Sequence, residues 1–291
     1  EWNWSPNGGW LTYAKGEENG FRSIYLYNVA AGETHRVTDD FTDDSAPSFD
    51  DEGKYLFFAS SQHFNPTIGG YDLKPIWANM DGLYVVPLRK DVEHPFPPES
   101  DEVTVTGDED KDDEKKEDKD EDNKTDKDKD KDKDKDEDKT PIEIDIEGLA
   151  DRMIALDVEQ GNYFSLQFAD GKLFYMSRPF VAGGGRGNQD AAASIMVYDM
   201  KEREEKTALE GAAGYTLSAD GKKMLYAMRG NKYGIIDAKA EQKPAEKPLR
   251  IDEMSARVDP RAEWRQMFRD AWRQERDFFY VHTPIITASD C

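Results

Sequence analysis

Trp4-Ser5-Pro6-Asn7-Gly8-Gly9-Trp10-Leu11-Thr12-Tyr13 returns three times further along the chain. The copies are Phe49-Asp50-Asp51-Glu52-Gly53-Lys54-Tyr55-Leu56-Phe57-Phe58, Phe168-Ala169-Asp170-Gly171-Lys172-Leu173-Phe174-Tyr175 and Leu217-Ser218-Ala219-Asp220-Gly221-Lys222-Lys223-Met224-Leu225-Tyr226. Each runs from an apolar residue through a short glycine turn into an aromatic-rich strand, the layout of a hairpin whose turn needs a residue tolerant of positive φ. One further clear strand follows each hairpin: Ser23–Val29, Gly82–Leu88, Ser194–Asp199 and Lys232–Asp237. The glycine separations, 45 residues from Gly8 to Gly53 and 50 from Gly171 to Gly221, match one four-stranded propeller blade per repeat. The expected fold is therefore all-β, a partial β-propeller of about four blades followed by a C-terminal amphipathic helix.

The interval from Gly53 to Gly171, 118 residues, exceeds one blade. Part of the excess is the segment Gly107 to Thr140, with 19 acidic residues and 11 lysines, which accounts for −8 of the net charge of −23. Such a composition cannot bury enough apolar area to offset chain entropy, so residues 107–140 read as a disordered Asp/Lys insert. Calcium loops also alternate Asp, but here Lys fills the gaps and the sharp-turn Gly and closing Glu are missing, so a solvated tract is the better reading. Val103-Thr104-Val105 and Ile142-Glu143-Ile144-Asp145-Ile146 flank the tract as candidate strands, which places it inside a blade. The stretch from Phe64 to Met80 is an additional loop.

After Asp237 a polar stretch with Pro244 and Pro248 reads as a linker. Asp259-Pro260 is an N-cap followed by proline at the first helical position, and Trp264, Met267, Phe268, Ala271, Trp272, Glu275, Phe278 and Phe279 keep steps of three and four. The organisation expected is 1–250 as blades, 251–280 as linker and helix, and 281–291 as a divergent tail.

The acidic balance disfavours phosphate backbones and anionic lipid surfaces, so neither nucleic acid nor membrane is an expected partner. A single cysteine, Cys291, provides neither a disulfide framework nor a cysteine metal site, and His35, His63 and His94 have no paired ligand spacing. No cofactor is expected. Gly183-Gly184-Gly185-Arg186-Gly187 lacks the Gly-Lys-Ser/Thr ending of a phosphate loop and reads as a hairpin loop. Arg178 and Arg186 are candidates to meet a peptide carboxylate in a substrate channel, because guanidinium pairs bidentately with that group. Trp2, Trp4 and Trp10 read as blade-packing aromatics. The tail holds His282, Ser289 and Asp290, but a triad is defined by spatial geometry, not by crowding in sequence.

Arg152-Met153-Ile154-Ala155-Leu156, Gly161-Asn162-Tyr163, Asp170 to Tyr175 and, above all, Glu263-Trp264-Arg265-Gln266-Met267-Phe268-Arg269-Asp270-Ala271-Trp272-Arg273-Gln274-Glu275-Arg276-Asp277-Phe278-Phe279-Tyr280 resemble the tricorn protease family. The resemblance covers the chain apart from the acidic tract and the tail. It implies the passage from a seven-bladed second propeller into the helical start of a serine-protease core. It also implies a large homo-oligomeric peptidase, cytoplasmic or alternatively periplasmic or exported, whose propellers filter peptide substrates toward an enclosed site. The family's base histidine follows in a phrase like Phe-Tyr-Asp-Pro-x-x-His-Gly. Here Phe279-Tyr280 is followed by Val281 and His282, with Ile285 where the histidine belongs, so no catalytic residue is assigned in this chain, which reads as a fragment. The competing readings are a free-standing propeller that binds peptides or proteins and, more weakly, a small hydrolase using the tail.

Overall fold

The computed structural model describes residues 1–64, 66–68, 75–97, 141–180, 192–255 and 257–278. The acidic tract, Val103–Val105, the glycine loop with Arg186, and the tail with His282 lie outside the described residues. The chain divides into two compact units, Glu1–Pro248 and a second beginning at Leu249.

The first unit is a series of antiparallel sheets. Strands β1 (Trp2–Trp4), β2 (Trp10–Gly16), β3 (Arg22–Asn28) and β4 (Glu33–Arg36) form the first blade, in the order β1-β2-β3-β4. The second blade joins β5 (Asp44–Phe49), β6 (Tyr55–Ser60), β9 (Gly82–Pro87) and β10 (Ile154–Ala155) in sequence order. The additional loop expected between Phe64 and Met80 forms a short hairpin of β7 (Pro66–Ile68) and β8 (Pro75–Trp77). The acidic tract falls between β9 and β10, which belong to one sheet.

The remaining strands make one six-stranded meander: β11 (Tyr163–Ala169), β12 (Lys172–Ser177), β13 (Ala193–Asp199), β14 (Glu204–Leu217), β15 (Lys223–Met228) and β16 (Lys232–Asp237). Strand β14 closes the third blade with its first half, which pairs with β13, and opens the fourth with its second half, which pairs with β15.

The repeat explains the turns. Gly8, Gly53, Gly171 and Gly221 all adopt φ near +70°, which side chains with a Cβ rarely do. Three hairpins keep the same register, Trp4 opposite Leu11, Phe49 opposite Leu56 and Leu217 opposite Met224. In these, one oxygen at an equivalent position closes the turn: Ser5 Oγ accepts from the Trp10 N–H, Asp50 Oδ1 from Tyr55, and Ser218 Oγ from Lys223, each at 2.9 Å. The third copy is two residues shorter and is closed by Asp170-Gly171 alone, both at positive φ as a type I′ turn requires.

Three apolar clusters lie between successive blades. Trp10, Ile24 and Leu26 of the first blade meet Leu56, Phe58 and Tyr84 of the second. Phe57, Leu83 and Val85 on the other face of the second meet Leu173, Tyr175 and Tyr198 of the third. Phe174, Ile195 and Val197 then meet Met224 and Tyr226 of the fourth. The Ile142–Ile146 stretch, a candidate strand in sequence, alternates half-buried isoleucines against the first cluster without joining a ladder. It is tied to the sheet by single bonds, the Trp10 indole N–H donating to the Ile142 carbonyl at 2.8 Å and the Asp145 N–H to the Leu88 carbonyl at 2.9 Å.

In the second unit, α1 spans Pro260–Phe278. Asp259 caps it as expected, its Oδ1 accepting the Arg261 N–H at 3.0 Å. No residue of α1 is buried, and no helix among the described residues is long and apolar enough to cross a membrane.

Candidate channel mouth

The first strand of each blade carries the apolar residue that opens the repeat, and these inner strands stand side by side: β1 next to β5, β5 next to β11, β11 next to β14. Side chains bridge them. Asn3 Oδ1 accepts the Phe49 N–H at 3.1 Å, and Gln167 Oε1 accepts the Leu217 N–H at 2.9 Å. Asn3 and Gln167 each immediately precede the apolar residue of their own repeat, so the same sequence position performs the same task twice. Two inner strands are also bulged at equivalent points, Ala46 and Ser165, both with positive φ. Glu1 Oε2 accepts the Ala46 N–H at 2.6 Å and the Tyr215 hydroxyl donates to the Ser165 carbonyl at 2.8 Å. These bonds satisfy backbone groups that a sheet edge would otherwise leave open.

Where the inner strands end, the four repeat turns converge around a cleft of about 630 Å³, lined among others by Trp4, Phe49, Asp51, Phe168, Asp170 and Asp220. Carboxylates set its electrostatics. Burial pushes the Asp50 carboxyl up to about 6, against the N–H donors of Tyr55 and Lys54, which favour the charged form. Burial also raises Asp51, whose Oδ2 accepts the Asp170 N–H at 2.6 Å and so ties the second turn to the third. Asp220, on the surface, is held below the usual carboxylate range by the Ser218 hydroxyl and the Lys222 N–H. The rim thus combines aromatic faces with negative charge, a surface suited to cationic and apolar groups of an extended chain and unfavourable to anions.

The residues singled out in sequence are dispersed. Arg178 follows β12 at the end away from the Asp170-Gly171 turn, so it does not line this mouth. Its guanidinium lies 4.8 Å from the centroid of the Phe164 ring, and its Nε is buried without a hydrogen-bond partner among the described residues. His35 faces Glu33 and the Trp10 ring, His63 pairs with Gln160, and His94 stands against Phe96. Trp10 is a packing residue, 7% exposed, whereas Trp2 and Trp4 are 67% and 48% exposed among the described residues. The mouth carboxylates were missed, although Asp was legible in three of the four repeat turns. Equivalent turns of successive blades must converge on one rim, and that inference finds them.

The model of the tricorn protease second beta propeller domain matches residues 1–239, and that of the tricorn protease C1 domain matches residues 260–283. A tricorn protease homolog of Saccharolobus solfataricus is 25% identical over 94% of this chain and 23% of its own length. Tricorn protease homolog 1 of Streptomyces coelicolor is 26% identical over 95% of this chain and 25% of its own length. The crystal structure of the tricorn protease superposes with a TM-score of 0.66 at 18% identity, covering 97% of this chain and 25% of that one. The chain therefore spans about a quarter of the length of these relatives. With a propeller model matched from residue 1 to 239 and a second model of the same family beginning where α1 begins, the chain belongs to the tricorn protease family.

Proposed function

We propose that this chain is the substrate-access and scaffolding part of a tricorn-like serine peptidase, and that it holds no active site of its own. The observation that carries the reading is the convergence of four equivalent turns on one acidic, aromatic mouth at the end of the inner strands. A peptide threading such an opening meets backbone edges already satisfied by Asn3, Gln167, Glu1 and Tyr215, so the wall offers side chains and not a free strand edge. Among the described residues the mouth is lined by Ser48 and Ser218 and by no histidine, and Ser218 Oγ is engaged with Asp220 and with the Lys223 N–H. Arg178, at the other end of the third blade, and Arg186 are the candidate contacts for a peptide carboxylate. In the intact enzyme the chain joins further blades and the protease core, and the whole works as a cytoplasmic homo-oligomer.

The test uses the full-length enzyme. Ala219, on the fourth turn of the mouth, is replaced by cysteine and blocked with a biotin reagent and streptavidin. Hydrolysis of long peptides falls at least several-fold while that of a short fluorogenic substrate is less affected. Equal rates with and without the block on long peptides reject the access role.

A further inference from the structure

The arginines of α1 fall in a row. Arg261, Arg265, Arg269 and Arg273 recur at every fourth residue, and the helix contains no lysine. A step of four residues advances an α-helix by about 6 Å and turns it by only about 40°, so these guanidinium groups are neighbours along one side. Trp264, Met267 and Ala271 lie on another side, so covering the apolar face leaves the row open. Glu263, Asp270 and Asp277, seven residues apart, mark a third side. These acids reach only the end of the row: Arg273 pairs with Asp270 at 3.3 Å, and beyond it Arg276 pairs with Asp277 at 2.6 Å. Arg261, Arg265 and Arg269 have no acidic partner among the described residues. A groove of about 460 Å³ runs along Arg265, Arg269 and Arg273, lined also by Ala262, Gln266 and Asp270.

We infer that this row is a docking site for an extended acidic segment of another protein chain, with Asp or Glu at every second residue. The charge is complementary: unpaired cations stand in a row in a chain whose formal net charge is −23. Guanidinium offers a carboxylate two parallel N–H donors, so a row of arginines without lysine is suited to carboxylates taken one at a time. Spacing selects the sequence of the partner. Alternate side chains of an extended strand point to one face about 6.6 Å apart, close to the step of about 6 Å along the row. A phosphate backbone carries denser charge, and both the acidic side of α1 and the negative balance of the whole chain oppose it. The row consists of α1 residues alone and needs no peptidase activity to act.

The probes are two fluorescent peptides of one composition, with Asp and Ser alternating in the first and segregated into two blocks in the second. Their anisotropy is followed as full-length protein is added. The alternating peptide binds at least about threefold more tightly than the block peptide, because only its carboxylates meet successive arginines. Arg265→Gln/Arg269→Gln weakens that binding at least about tenfold, while Arg265→Lys/Arg269→Lys, which keeps the charge and loses the paired donors, weakens it about threefold. Both sites are exposed, so neither pair of substitutions moves the melting temperature by more than about two degrees. No measurable binding by the parent, or equal binding by the parent and the glutamine variant, overturns the inference. Equal affinity for the two peptides also overturns it, by reducing the row to bulk charge. A single-stranded oligonucleotide of matched charge that binds more tightly than the alternating peptide would assign the row to nucleic acid and overturn the inference likewise.

Discussion

In the propeller unit Phe57, Phe58, Phe174 and Tyr175 are no more than 1% exposed, whereas in α1 Trp264, Met267, Phe268 and Phe278 are 61–85% exposed. The strands are buried on both faces, Phe58 and Phe57 facing opposite neighbouring blades and Tyr175 and Phe174 likewise, whereas the helix keeps its apolar residues at steps of three and four. The difference is the source of the cover. A strand of one blade is covered by the next copy of the same repeat, so the chain carries both halves of each interface. The helix face has no such copy among the described residues, and its match to a C1 domain model names the kind of structure that uses it. Periodicity reports that a face needs covering; only repetition reports what covers it.

Removing a side chain from each set should separate them most widely. Leu173→Ala, at 0% exposure between the second and third blades, lowers the unfolding free energy by about 2–5 kcal/mol through lost transfer energy and a residual cavity. Phe268→Ala, on a residue 62% exposed, changes it by less than about 0.5 kcal/mol in this chain. Denaturant titration of both variants checks the contrast, and equal losses would mean that α1 is packed as tightly as the blades.

The turns give a finer comparison within the propeller. Gly53 and Gly171 share φ of +70° and +71°, so alanine strains the backbone at both. At Gly53 a Cβ would also collide with the Ile142 side chain, whereas at Gly171 nothing lies within 4 Å. Gly171→Ala should therefore lose about 1 kcal/mol and Gly53→Ala about 1–3 kcal/mol more, read by thermal or denaturant unfolding. Similar losses would show that the Ile142 segment yields without resistance.

A smaller effect distinguishes Asp50 from its counterparts Ser5 and Ser218. The folded Asp50 takes up its proton near pH 6 and the unfolded chain nearer pH 4, so between these values the folded state binds more protons. Stability from this group consequently rises as pH falls from above 6 toward 4, and its charge is unfavourable at neutral pH. Asp50→Ser keeps an acceptor for the Tyr55 N–H and removes the titration. Relative to the parent it should be more stable at pH 7 than at pH 4.5 by ~1–3 kcal/mol, a difference that denaturant titrations at the two values resolve.

Much of this fold was legible because the repeat is written in turn chemistry: glycine where φ is positive, Asp or Ser where an oxygen closes the loop, an aromatic strand beyond. Asp259-Pro260 announced α1 with equal clarity. Less legible was β14, one continuous strand serving two blades, because its Glu210-Gly211 bend carries no turn signal strong enough to mark a blade boundary. The Ile142–Ile146 segment alternates like a strand, but it is held by its isoleucines and by single bonds to Trp10 and Leu88 without a ladder. The mouth was the least visible feature. Asp51, Asp170 and Asp220 each have a local explanation as turn residues, and their shared rim exists only once the blades are set side by side.

The proposal that this chain guides and scaffolds without cutting is tested by incubating the 291-residue chain and its His282→Ala variant with a mixture of fluorogenic peptides. Serine-peptidase chemistry needs a nucleophile, a base within hydrogen-bond reach and oxyanion donors, and losing one such donor alone lowers the rate by roughly 10²–10³. The predicted result is the same background hydrolysis for both proteins. Turnover by the parent that disappears in His282→Ala would contradict it and place an active site in the tail.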